Sequence, residues 1–199
     1  MEITALGAAR QVGRSAFLLH GKSTNVLLDF GVQMQKEPVF PIQVQPRDID
    51  GILLSHAHLD HSGAAPVFYL SEGVDLYTTP PTAELAKLLI EDFIKISGFN
   101  LPFEYIDLVS MFKRTHYANL YEVFKIGEFS VQFLDAGHIP GSASMILEAD
   151  GKRLLYTGDV NGEGTMLLNG ADKNFGELDA IIMESTYALT DHKPRQEVE

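Results

Sequence analysis

The chain contains no cysteine. Disulfides, thiolate nucleophiles and cysteine-based zinc sites are thereby excluded, so any transition-metal site must use His, Asp or Glu. Basic residues are few: 15 Lys plus Arg stand against 27 Asp plus Glu, a formal net charge of -12. Nucleic acid is a polyanion, so this balance argues against binding through a broad basic face. It does not exclude a nucleic-acid enzyme, because bound metal ions supply local positive charge. Long apolar runs are missing as well. Gly51–Leu54 and Ala180–Met183 are too short to span a bilayer, and the N-terminus carries no basic, apolar leader. A soluble, cytoplasmic protein with no membrane partner is the expectation.

What is present suits one domain. The 199 residues are 45% hydrophobic, enough to bury a core. Short β-rich runs at 3–6, 16–20 and 26–29 are separated by brief turns, which favours antiparallel pairing. A long connection from Phe30 to about Arg47 carries Pro38, Pro41 and Pro46, and loops of that length are often functional. Residues 51–55 read as a buried strand, 64–70 as a helix and 76–79 as a strand. Pro80-Pro81 opens an amphipathic helix to about Ser97, with Leu85, Leu88, Leu89, Phe93 and Ile96 recurring every three or four residues. A weaker helix covers 106–113. Two hairpins follow, one turning at Gly127 and one at Asp150-Gly151, and 180–184 reads as a last buried strand. The class is mixed α/β (α+β).

The residues with the strongest chemical signal are His56, His58, Asp60 and His61, four potential ligands directly after a buried strand. Imidazoles and carboxylates are costly to bury unless paired or metal-bound. On a loop at a strand end they can diverge into two sets, which suits two adjacent cations. His138, flanked by Gly137 and Gly141, and Asp159, after Gly158, each follow another apolar strand. Ligand-type residues at three strand ends suit Zn²⁺ or a similar divalent ion such as Mn²⁺.

The His-x-His-x-Asp-His run, with His138 and Asp159 at their distances beyond it, resembles the metallo-β-lactamase superfamily, and the resemblance covers nearly the whole chain. Within it, the segment from Ala5 to Ser15, Leu28-Asp-Phe-Gly31, Gly137-His-Ile-Pro-Gly-Ser142, Tyr156-Thr-Gly-Asp159 and Glu184-Ser-Thr-Tyr187 resemble the β-CASP branch. That branch holds RNase J and the cleavage and polyadenylation specificity factor nucleases. Phe30 and Ala188 replace the Cys and Gly usual there, without touching a ligand position.

The resemblance implies an αββα sandwich and a metal-dependent ribonuclease acting on RNA. It implies that His56, His58 and His138 hold one zinc, that Asp60 and His61 hold the other, and that Asp159 bridges them. A hydroxide activated by the two ions would attack phosphorus, with Asp60 also placed to orient or deprotonate it. Asp29 would hold a ligand histidine in its tautomer, and Glu184 would pair with a catalytic histidine from a later segment. Two rival functions remain: a hydrolase of a small ester, thioester or lactam, and a non-catalytic subunit of an RNA-processing complex.

In the branch, a β-CASP insertion follows this point, and the returning chain adds two histidines. The expectation is therefore residues 1–187 as the N-terminal portion of the metallo-β-lactamase domain, with 188–199 starting the linker. The sandwich would be incomplete, activity alone weak or absent, and only one metal tightly bound. Exposed apolar faces would favour self-association or the missing C-terminal half. Of the seven histidines, His20 and His116 read as structural or exposed. His192 lies in a polar run and reads as a non-ligand.

Overall fold

The computed structural model describes residues 1–71 and 73–189, apart from the side chain of Phe99. His192 and most of the expected linker lie outside the described residues.

Three short strands open the chain: β1 (Glu2–Ala5), β2 (Phe17–His20) and β3 (Asn25–Leu28), paired antiparallel as their brief turns predict. β4 (Gly51–Leu53), β5 (Leu76–Thr78) and β6 (Thr115–Tyr117) continue the same sheet, each parallel to its neighbour. Parallel neighbours need crossovers. Between β4 and β5 the crossover is α1 (Leu59–Ser62) with a 3-10 turn; between β5 and β6 it is α2 (Pro80–Ser97) and α3 (Tyr105–Lys113). The second sheet holds β7 (Val123–Ile126), β8 (Phe129–Asp135), β9 (Ala143–Ala149), β10 (Lys152–Tyr156) and β11 (Ala180–Ile182), in the order β11-β10-β9-β8-β7.

Successive strand residues point to opposite faces. Leu18 with Leu19, Leu27 with Leu28, and Ile52 with Leu53 therefore serve two cores. Leu19, Val26, Leu28 and Leu53 meet Phe129, Val131, Phe133, Met145 and Leu154 between the sheets. Leu18, Leu27, Ile52, Leu54 and Leu76 meet Ile90, Phe93, Leu108 and Met111 of α2 and α3. Burial on both faces explains why β4 reads as an unbroken apolar run. The second sheet's outer face carries Leu134, Ile146 and Leu155, which pack against Phe175 and Leu178 from an irregular segment rather than a helix. Three layers of the expected sandwich, α, β and β, are thus present among the described residues. No helix among them is long and apolar enough to cross a membrane.

Two expectations need correction, and one strand was not foreseen. The segment 64–70 is a 3-10 turn over Ala65–Tyr69, with Pro66 in its first turn and no room for a full α-helix after α1. The strand at 180–184 is not buried. Among the described residues β11 pairs with β10 alone, and Ile181 is 54% and the following Met183 63% exposed. β6 carries no apolar alternation and went unread as a strand; it exists because β5 offers a free parallel edge.

Candidate metal centre

In parallel sheets, sites form beyond the carboxyl ends of strands. Asp29 follows β3, and the run from His56 follows β4. The second sheet delivers its residues to the same place. Ala143 N donates to Ser55 O at 2.9 Å, Ser144 Oγ to Thr157 O at 2.9 Å, and Asn161 N to Ala136 O at 2.9 Å. The first bond ties the start of β9 to the residues after β4, and the other two tie the ends of β8 and β10 to each other and to β9. His138 is set by a tight loop in which Ser142 Oγ accepts from His138 N and Ile139 N, both at 3.2 Å.

His56, His58, His138 and Asp159 offer ligand atoms that all lie within 4.8 Å of one another. His58 Nδ1 stands 3.2 Å from His56 Nε2 and 3.2 Å from His138 Nε2. Asp159 Oδ2 lies 3.7 Å from His56 Nε2 and 3.6 Å from His138 Nε2. Ligands around a tetrahedral zinc at ordinary bond lengths are separated by about 3.3 Å. The donor chemistry fits as well. Nδ1 of one imidazole carries at most one hydrogen, so it cannot donate to both neighbours. At least one contact around His58 requires the other ring's nitrogen to donate or sets two lone pairs face to face, and a cation at the centre removes that conflict.

Asp159 faces two ways. Its other oxygen, Oδ1, lies 3.2 Å from His61 Nε2, which is 4.0 Å from Asp60 Oδ2. One carboxylate therefore joins a three-imidazole cluster to a second group made of Asp60 and His61.

His61 is held from behind. Asp29 is fully buried. Its Oδ2 accepts from His61 Nδ1 at 2.7 Å, from Ser55 Oγ at 2.7 Å and from Tyr156 Oη at 2.5 Å; its Oδ1 accepts from Ser55 N at 2.7 Å. Nδ1–H on His61 leaves Nε2 turned toward Asp159, the orientation that the resemblance assigns to a ligand histidine. The backbone fits as closely. Phe30 N donates to His61 O at 2.8 Å, and Ser15 N to Asp60 O at 2.8 Å. A Cβ on Gly31 would lie 1.7 Å from Asp60 O, so alanine has no room there.

The electrostatics follow from burial and partners. Burial holds His56 well below the usual histidine range, and His138 below it too, so both are neutral and able to ligate. Burial also opposes a charge on His61, but hydrogen bonds to Asp159 and Asp29 outweigh it and push the group up to about 10. Burial raises Asp159, yet His61, then His56 and His138, carry it well below the usual carboxylate range. In the metal-free protein a proton on His61 thus occupies a place built for a cation. A divalent ion at Nε2 must displace that proton, while His56 and His138 have none to release. A divalent ion held at His61 Nε2 should bind with release of about one proton, its affinity rising with pH up to about 10. Titration calorimetry in buffers of different ionisation enthalpy reads this directly. Binding at His61 without proton exchange near pH 8 would contradict it.

Glu184 does not lie idle. Its Oε1 accepts from Val160 N at 3.0 Å, bracing the residue after Asp159. Of the residues expected at the site, Asp29, His56, His58, Asp60, His61, His138, Asp159 and Glu184 all gather here. His116 stands apart, stacked on Tyr77 at 4.9 Å, and His20 bonds Asn25 Oδ1 at 3.0 Å. Sequence reading missed Ser55 and Tyr156 as supports of Asp29. Tyr156 opens the Tyr-Thr-Gly-Asp run, but an apolar strand ending in Tyr reads as core.

The superfamily profile described as "Metallo-beta-lactamase superfamily" matches residues 9–194. The chain belongs to the metallo-β-lactamase superfamily. Among its curated relatives, "Probable RNase MJ4" of Methanocaldococcus jannaschii is 40% identical, over 100% of this chain and 48% of that protein. "RNase aCSPSF2" of Saccharolobus solfataricus is 34% identical, over 98% and 40%. "Cleavage and polyadenylation specificity factor subunit 3" of Dictyostelium discoideum is 32% identical, over 100% and 27%. The chain spans less than half the length of these relatives. In fold it is similar to a protein of unknown function from Enterococcus faecalis V583 (TM-score 0.58, 24% identity, 80% of this chain and 43% of that one). It is also similar to a mutant metallo-β-lactamase from Cronobacter sakazakii (TM-score 0.55, 24% identity, 77% and 60%). Metallo-β-lactamase membership and the ribonuclease names of the relatives match the branch that the motifs resemble.

Proposed function

We propose that the chain carries the metal centre of a ribonuclease that hydrolyses RNA phosphodiesters with two divalent ions, zinc first among them. One observation carries the reading: Asp159 presents Oδ2 to His56 and His138 and Oδ1 to His61, the arrangement a shared ligand needs. His56, His58 and His138 would hold one ion, Asp60 and His61 the other. The three-imidazole set, with four donors converging, is the tighter of the two. Two such ions supply a nucleophile near neutral pH and positive charge for the phosphate oxygens. That local charge answers the net charge of -12, which otherwise disfavours RNA.

The side chains have separate tasks. Asp60, at the edge of the centre, orients or deprotonates the attacking water. Asp29 fixes His61. Glu184 steadies the Asp159 loop and, in the branch resembled, pairs with a histidine from a later segment. Zinc-dependent cleavage of end-labelled RNA should be lost in Asp60→Ala and His58→Ala, by roughly a thousandfold, since several kcal/mol of charge stabilisation goes with each. Cleavage that survives both changes would sink the reading. The acidic charge favours one rival, a hydrolase of a small ester, thioester or lactam. Turnover of such a compound by a preparation that leaves RNA intact would establish it. Besides RNA, we propose that a second copy or a further polypeptide covers the exposed Ile181 and Met183. Light scattering that returned a clean monomer of the 199-residue chain would count against self-association.

A further inference from the structure

Ser55 stands behind the metal centre, between its two groups of ligands. The residue is buried, and its Oγ lies 2.7 Å from Asp29 Oδ2 and 3.0 Å from His56 Nδ1. The main chain fixes it from both sides. Ser55 N donates to Asp29 Oδ1 at 2.7 Å, and Ser55 O accepts from Ala143 N at 2.9 Å. Gly158 closes the space beside the hydroxyl, where a Cβ would lie 2.9 Å from Ser55 Oγ.

Hydrogen bookkeeping gives this contact a direction. A hydroxyl carries one hydrogen, and a neutral imidazole carries one on either nitrogen. The Asp29 carboxylate only accepts, so the Ser55 hydrogen goes to Oδ2 in the shorter, charge-assisted bond. Ser55 Oγ then turns a lone pair toward His56 Nδ1, which is favourable only with the His56 proton on Nδ1. Burial keeps that ring neutral, so its Nε2 is left bare. Nε2 is the atom that faces the other ligands, 3.2 Å from His58 Nδ1 and 3.7 Å from Asp159 Oδ2. The same Asp29 oxygen holds His61 Nδ1 at 2.7 Å.

We propose that Ser55 is a positioning residue that relays the pull of Asp29 to His56, so that one buried carboxylate oxygen sets the ligating tautomer in both metal groups. This rests on the metal centre of the reading above and is independent of its RNA substrate. Asp29 acts on His61 directly and on His56 through one hydroxyl, and successive bonds in such a chain polarise one another. The chain is also reversible. In Asp29→Asn the amide NH₂ takes the place of Oδ2 and donates to Ser55 Oγ as well as toward His61. The Ser55 hydrogen then turns to His56 Nδ1, and the His56 proton moves to Nε2, where an ion would bind.

The test joins nuclear magnetic resonance of the metal-free protein to zinc titration against a chelating dye. Long-range proton–nitrogen spectra of the wild-type protein should show His56 protonated at Nδ1. In Asp29→Asn they should show it protonated at Nε2, with the first zinc ion bound about 10- to 100-fold more weakly. Ser55→Ala should weaken that ion about tenfold, because the ring loses its partner. Adding Asp29→Asn to Ser55→Ala should then change its affinity less than about twofold, since the relay is already cut. A serine that only fills space would leave the two effects additive, and equal losses from Asp29→Asn in both backgrounds would overturn the relay. A wild-type His56 protonated at Nε2 would overturn it too, and that spectrum is decisive even where a variant fails to fold. In both cases zinc binding by the wild-type protein leaves the metal centre standing. If the wild-type protein takes up no zinc, the centre falls and the relay with it.

Discussion

Asp29→Ala is expected to cost about 3–5 kcal/mol of folding stability, the usual penalty for breaking a buried charged network by removing one partner. Asp29 is fully buried and accepts from Ser55 N, Ser55 Oγ, His61 Nδ1 and Tyr156 Oη. Alanine leaves Ser55 N and His61 Nδ1 unanswered in the same pocket, and leaves Ser55 Oγ only His56 Nδ1 at 3.0 Å and Tyr156 Oη only Ser15 Oγ at 3.3 Å. It must also hold the φ of 55° that Asp29 adopts, which suits Asp or Asn better than Ala. Asp29→Asn separates stability from function. Its carbonyl stays with Ser55 N, which turns the amide NH₂ toward His61 Nδ1. His61 then accepts at Nδ1 and carries its proton on Nε2, the wrong tautomer for a ligand. Urea unfolding should show most of the stability retained in Asp29→Asn, while metal titration shows binding at the His61 side lost. A drop below about 1 kcal/mol in Asp29→Ala, or full metal content in Asp29→Asn, would refute this account.

Asp159→Ala should have the largest effect on activity, because one side chain serves both metal groups. On the two-ion proposal, the expected result is loss of the ion at the three imidazoles from dialysed protein, no second ion at raised metal concentration, and a fall in any RNA cleavage of about a thousandfold or more, several kcal/mol of transition-state stabilisation. His138→Ala is the comparison. It touches only the three-imidazole set and should leave the Asp60–His61 side able to bind at raised metal concentration. Folding is the control: Asp159 lies at the mouth of the site with its side chain 26% exposed, so its removal should change the unfolding midpoint far less than removal of Asp29. Retention of both ions by Asp159→Ala, or an unchanged rate, would show that the carboxylate is not shared.

The sequence alone determined the features that are local along the chain. Strands β2 to β4 and β7 to β10 were legible because burial on one or both faces writes itself as alternation or an apolar run within a few residues. The long helix was legible from its opening prolines and its three-to-four residue apolar spacing. The six ligand-type residues were legible because each sits directly after such a run, and the resemblance of those motifs supplied their grouping. Elements whose existence depends on a neighbour were not legible. β6 forms from Thr-His-Tyr, a segment with no strand pattern, on an edge that β5 presents. Residues 180–184 looked buried by composition, but among the described residues β11 pairs with β10 alone, at an edge of its sheet. Only the tertiary structure decided the bonding around Asp29. Its partners come from two distant stretches, Ser55 and His61 after β4 and Tyr156 at the end of β10, and nothing in the residues near Asp29 distinguishes it from an aspartate in a turn. The opposed uses of Asp159's two oxygens were fixed in the same way. Hydrophobic burial is set residue by residue and leaves its period in the sequence. Polar networks and shared ligands are set by where chain segments meet, and that is known only once the sheets have packed.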